Sequence, residues 1–112
     1  MIITFAWTTE VFLAGTKTVT RRDWSDRTFA QWYRAWDTNR LVHDAYDKSP
    51  RCGGRKVGTF KLTARPYRER LGDFPESDLA DEGGLWETVQ EYIDLQGGQP
   101  DQVLTVVRFC KL

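Results

Sequence analysis

The stretch "GTKTVTRRDW", residues 15–24, holds one lysine, three threonines and two arginines. Guanidinium, ammonium and hydroxyl groups at this density form a vocabulary for gripping an oxyanion, because they supply charge and several directed donors together. The same residues also suit a plain strand with a charged solvent face, since Thr and Val favour extended backbone. One detail favours a site. Gly15 fits a left-handed helix stop, which places Lys17 just past a helix end where the main chain changes direction. A second candidate is Glu82 in "ADEGG". A negative charge near a helix carboxyl end is mildly unfavourable, so Glu82 is expected to be kept there for another reason, as a candidate site residue.

The elements that must position these groups follow from periodicity. "IITFA" reads as a first strand and "TTEVFLAG" as one or two helical turns ended by Gly15. "TKTVTRR" is expected to be extended. Phe29, Trp32, Tyr33 and Trp36 fall at helical spacing after a Ser25 or Asp26 cap, predicting a helix whose aromatic stripe is core. "LVHDAY" reads as a strand containing the single histidine, His43, in a structural role. "KSPRCGGRK" is a loop by its Pro and Gly content. Its basic residues Arg51, Arg55 and Lys56 are expected to line one edge of a binding cleft. "VGTFKLTARPY" alternates as a strand until Pro66, "FPESDLADEGG" and "LWETVQEYIDLQGG" read as helices, and "QVLTVVRFCKL" as a closing strand. The class is α+β: one domain over residues 1–112, a small curved sheet or β-barrel with short helices packed on it.

Composition narrows the function classes. The chain has 112 residues, 40% hydrophobic and 29% charged, with formal net charge zero. Any basic footprint for RNA must therefore come from local clusters and not from total charge. Met1 leads straight into "IITFAW" without a basic start and long apolar run, and no stretch is long and apolar enough to span a bilayer. With Cys52 and Cys110 far apart in sequence, the expectation is a cytoplasmic protein with free thiols. One histidine and no close cysteine pair argue against a zinc site, and no cofactor-binding fingerprint is present.

"FLAGTKTVTRRDW" resembles the signature of ASCH domains, proteins of the PUA-like superfamily whose motif runs Gly-x-Lys-x-x-(Thr/Glu)-x-Arg after a short helix. "LADEGG" is similar to the family's Ala-x-Glu-Gly element, "KVGTFKLTARPY" to its central strand pair, and "VLTVVRFCKL" to its final strand. The resemblance spans most of the chain and is weakest between residues 24 and 56. It implies a PUA-like barrel with a cleft that gathers the signature and the acidic residue. Small bacterial members include amidohydrolases that remove the acetyl group of N(4)-acetylcytidine with a Lys-Thr-Glu set. Carried onto this chain, the set is Lys17, Thr20 and Glu82. Other members bind or cleave RNA.

The implied chemistry meets two physical conditions. In an ideal strand Lys17 and Thr20 point to opposite faces, so sharing a cleft requires a turn or bulge near Thr18. A threonine hydroxyl needs a base, and a neutral lysine serves if burial and the neighbouring Arg21 or Arg22 lower its pKa, whereas Glu82 beside it raises it. The base is thus left open between Lys17 and Glu82. The reading is a hydrolase of an acylated nucleoside, with Arg21, Arg22, Arg51, Arg55 and Lys56 as substrate or RNA contacts. The alternatives are a non-catalytic RNA-binding module and a ribonuclease.

Overall fold

The longest strand, Val103–Lys111, organises the molecule. The structure is a computed structural model that describes all of residues 1–112. In chain order the elements are β1 (Ile2–Thr4), α1 (Thr9–Leu13), β2 (Val19–Arg22), α2 (Asp26–Asp37), β3 (Val42–Tyr46), β4 (Lys56–Leu62), β5 (Tyr67–Arg70), α3 (Asp78–Asp81), α4 (Val89–Leu95) and β6 (Val103–Lys111). One six-stranded sheet runs β1-β3-β4-β6-β2, with β5 also paired to β6. It curls into a half-barrel, and the class is α+β with flanking short helices, as the sequence pattern implies.

Strands β4 and β5 lie end to end along β6. Phe60 to Leu62 pair with Lys111 to Phe109, and Tyr67 to Arg70 pair with Val106 to Val103. The ladder stops after Leu62 and resumes at Tyr67, just past Pro66, which has no N–H to donate. β2 pairs with β6 on the other side, setting Arg21 opposite Val106 and Arg22 opposite Thr105. β1 and β2 are the two ends of the sheet path and have no ladder to each other. Arg22 spans that seam by donating to the Thr4 main-chain oxygen at 2.6 Å.

The faces of β6 bury two cores. Val107 and Phe109 join Phe5, Phe12, Phe60 and Trp32 inside the half-barrel, while Leu104 joins Leu71, Phe74, Tyr92 and Ile93 beneath α4. Ser25 caps α2, accepting from the Thr28 N–H. The aromatic stripe of α2 is only partly core. Trp32 is buried, Trp36 packs against the core from its rim, Phe29 is half-buried and Tyr33 is exposed. The guanidinium groups of Arg68 and Arg65 cover Phe29 and Tyr33, at 4.7 and 5.0 Å. Long basic stems thus shield aromatic surface that helix spacing alone assigns to the interior.

α4 also begins later than its sequence pattern suggests. Thr88 caps it by accepting from the Glu91 N–H, so Leu85 stays outside the helix and exposed. His43 is structural: Nε2 donates to the Arg40 carbonyl at 2.8 Å, and Nδ1 accepts from the Met1 ammonium at 2.9 Å. Cys52 and Cys110 are free and exposed. No helix is long and apolar enough to cross a membrane.

Candidate functional site

A cleft of about 390 Å³ opens at the seam between β1 and β2. That is within the range of about 300–1,000 Å³ common for small-molecule sites. Its floor carries Lys17, Thr20, Arg22 and Glu82, and its mouth carries Trp7 and Trp86. A second hollow, beside Met1, Arg34 and Arg40, is lined only by exposed residues and offers no buried group.

Lys17 reaches the cleft because it precedes the strand. Its N–H and that of Thr16 both donate to the Val11 carbonyl, closing α1, and Gly15 takes φ +77 at that stop. The Thr18 N–H then donates to the Asp81 carbonyl, and β2 starts only at Val19. Lys17 lies before the strand begins, so the strand period does not fix its direction relative to Thr20, and both line the cleft.

Glu82 arrives from the opposite side, at the carboxyl end of α3. Gly83 follows with φ +123, and a Cβ there would stand 2.8 Å from Val11 Cγ2. Only glycine tolerates this close approach of the α3 end to α1. Glu82 is 1% exposed. Lys17 Nζ donates to Glu82 Oε1 at 2.9 Å and to the Glu82 main-chain oxygen at 3.1 Å, and Arg21 Nη1 donates to Oε2 at 2.8 Å. These two cations offset the unfavourable placement of a carboxylate at a helix end.

Burial pulls the Lys17 ammonium below the ordinary lysine range. Glu82 opposes this shift, while Arg22 and Arg21 reinforce it. Thr20 is also buried, and its Oγ1 accepts from Arg22 Nε at 3.1 Å. A hydrogen bond from a guanidinium favours the alkoxide form of a hydroxyl. Arg22 itself has no carboxylate within ion-pair distance, and its Nη1 makes no hydrogen bond. Burial works against its charge, and the nearby Glu82 partly restores it.

Arg21 borders the same cleft but is not free to bind a ligand. Its Nε and Nη2 donate to Glu69, Nη2 also donates to Asp78, and Nη1 holds Glu82. Its guanidinium also lies over Phe74 at 4.2 Å. Burial opposes the charge, yet the carboxylates more than offset it and fix Arg21 as a cation. Arg108 continues the network, donating to Asp78 at 2.8 Å and to the Tyr67 hydroxyl at 3.0 Å.

Of the residues expected from sequence, Lys17, Thr20, Arg22 and Glu82 come together, with Arg21 behind them as a support. Arg51, Arg55 and Lys56 do not line the cleft. They are exposed, Arg51 and Arg55 between β3 and β4 and Lys56 at the start of β4, where it pairs with Asp44. The expectation that their loop forms one edge of the site is therefore corrected. The sequence reading missed Trp7, Trp86 and Tyr92, which belong to no charged motif. It also missed Glu69 and Asp78, which lie among other acids and reveal their role only through Arg21. Tyr92 lines the cleft with its hydroxyl accepting from Gln96, and burial together with the Glu82 charge raises its pKa and keeps it protonated.

Compared with family models, curated proteins and solved structures, the chain finds no match.

Proposed function

We propose that the chain is a distant ASCH-type, PUA-like domain and that its cleft hydrolyses the acyl amide of a modified nucleoside such as N(4)-acetylcytidine. The observation that carries this reading is a buried Lys17 lining the same cleft as a buried Thr20. The lysine is oriented by Glu82, and burial draws its pKa below the ordinary lysine range against the pull of that carboxylate.

In the proposed reaction neutral Lys17 takes the Thr20 hydroxyl proton as Oγ1 attacks the acyl carbon. The carbonyl electrons move onto oxygen, and the open Nη1 of Arg22 supplies a donor for that charge. Collapse breaks the carbon–nitrogen bond, and the Lys17 ammonium returns its proton to the departing nucleobase amine. Water then attacks the Thr20 ester with Lys17 again taking its proton; as the ester C–O bond breaks, Lys17 returns that proton to the Thr20 oxygen, restoring the hydroxyl, and the carboxylic acid leaves and gives up its remaining proton to solvent. Both Glu82 oxygens are occupied by cations, so its role here is to orient Lys17 and not to be the base.

The charge inventory favours this reading over RNA binding. Lys17 is held by one carboxylate and Arg21 by three, which leaves Arg22 as the one lining cation without a carboxylate partner. A polyanion needs several free cations along its track. The test is incubation of the purified protein with N(4)-acetylcytidine, following cytidine by chromatography. Release by wild type, retention of much of it by Thr20→Ser and loss in Thr20→Ala are expected. No release from any acylated nucleoside would overturn the proposal.

A further inference from the structure

In the stretch around Trp7, "TFAWTTE", Ala6 and Trp7 are both exposed between buried Phe5 and Thr8, Trp7 at 63%. Single exposed aromatics are common, but this one is held out by specific backbone. Ala6 adopts φ +47, a left-handed conformation that alanine seldom takes. The turn Ala6–Thr8 is fastened there: the Thr8 N–H and hydroxyl both donate to the Phe5 carbonyl, at 2.8 and 2.6 Å, and the Thr9 hydroxyl donates to the Ala6 carbonyl at 2.6 Å. Phe5 is in turn anchored to the Tyr46 carbonyl at 2.8 Å. Strained backbone that is over-determined by its surroundings clusters at ligand sites.

The exposed ring is also braced. Trp86 meets Trp7 nearly at right angles, 81° with centroids 5.7 Å apart, and Trp86 itself rests edge-on against the buried Tyr92 at 4.8 Å. Both tryptophans stand at the mouth of the cleft whose floor holds Lys17, Thr20 and Arg22. A solvent-facing indole braced by Trp86 beside a polar floor suits a ligand with one flat aromatic part and one polar reacting part.

We infer that Trp7 is a stacking platform for the base of the substrate, so that the site selects acyl amides carried on a planar heteroaromatic ring over those on aliphatic amines. The inference rests on the proposed hydrolase reading for the reacting end, but the platform itself is defined by binding. Base–aromatic contacts are lost on removal of the ring and largely kept by another aromatic.

The experiment is calorimetric titration of wild type, Trp7→Ala and Trp7→Phe with cytidine, and with ribose as the ligand lacking a base. Steady-state hydrolysis of N(4)-acetylcytidine by the same three proteins accompanies it. Cytidine should bind wild type and Trp7→Phe, and Trp7→Ala should bind it about tenfold or more weakly, with KM raised and kcat little changed. Ribose should bind none of them measurably. Equal cytidine affinity in wild type and Trp7→Ala, or no cytidine binding by wild type, would overturn the inference. Trp7-dependent cytidine binding without any hydrolysis would uphold the platform and sink the hydrolase reading. Hydrolysis with an unchanged KM in Trp7→Ala would do the reverse. Because Trp7 is exposed, unchanged thermal melting of both variants is the check on folding.

Discussion

Arg21 and Arg22 are adjacent in sequence and opposite in circumstance. Arg21 faces the core beneath α4, where Glu69, Asp78 and Glu82 neutralise it. Arg22 faces the seam between the sheet ends, where it holds a main-chain oxygen and the Thr20 hydroxyl and meets no carboxylate. The difference follows from the strand period, which sends neighbours to opposite faces. One side became a scaffold that fixes Glu82, and through it Lys17. The other became the floor of a cleft with donor capacity to spare. Two identical side chains thus divide between a buried ion-pair scaffold and a cation without a carboxylate partner at the cleft, the one to which the proposed reaction assigns the oxyanion.

Removing Arg21 should have the largest effect on the folded state. Arg21→Met leaves three carboxylates without their shared cation, and breaking a buried pair typically costs about 3–5 kcal/mol. Urea unfolding should show that loss, whereas Arg22→Met should stay much closer to wild type. Comparable destabilisation by both would break the contrast. Activity should sharpen it from the other side: on N(4)-acetylcytidine, Arg22→Met should lose about 10²- to 10³-fold in kcat, as removal of an oxyanion donor does. Near-normal turnover would remove Arg22 from the reaction.

Smaller effects bear on how Glu82 is placed. Gly83→Ala forces a side chain into φ +123 and against Val11, which should cost about 1–3 kcal/mol in urea unfolding. If Gly83→Ala is as stable as wild type, the close approach of α3 to α1 is not needed. The smallest effect concerns pH. Burial tends to raise the Asp78 carboxyl, but Arg108 and Arg21 outweigh it and hold its pKa below the usual value. Its stabilising contribution is therefore complete above the unfolded pKa of about 3.9 and drains away as pH falls through the lower folded value. Asp78→Asn should be less stable than wild type at neutral pH, with the gap narrowing below about pH 4. A gap that stays constant into acid would contradict the ion-pair role.

Much of this arrangement was legible in the sequence. Gly15, Lys17 and Glu82 carried local signals, a helix stop and a misplaced acid, that the fold explains, whereas Thr20 stood out only in the hydroxyl-rich stretch and through the family resemblance. β5 was not legible because "YRER" has no apolar alternation, and its charges are absorbed by partners distant in sequence, Glu69 by Arg21 and Arg68 by Asp26. The loop carrying Arg51 and Arg55 had the right composition for a binding edge, but composition does not say which side of a sheet a connection leaves from. Arg21 and Arg22 look alike in a motif, and only the pairing of β2 with β6 separates them. Trp7 had no signal at all in sequence, since its exposure depends on the backbone at Ala6.

The most direct measurement is kcat/KM of Lys17→Arg on N(4)-acetylcytidine as a function of pH. Arginine can keep a cation beside Glu82, but it cannot give up its proton to act as a base. Wild-type activity should rise with pH along a limb that lies below the ordinary lysine range, because burial favours neutral Lys17. Lys17→Arg should fold, bind cytidine and show no such limb and no appreciable hydrolysis. A folded Lys17→Arg protein that hydrolyses the substrate near the wild-type rate would contradict the lysine-base mechanism.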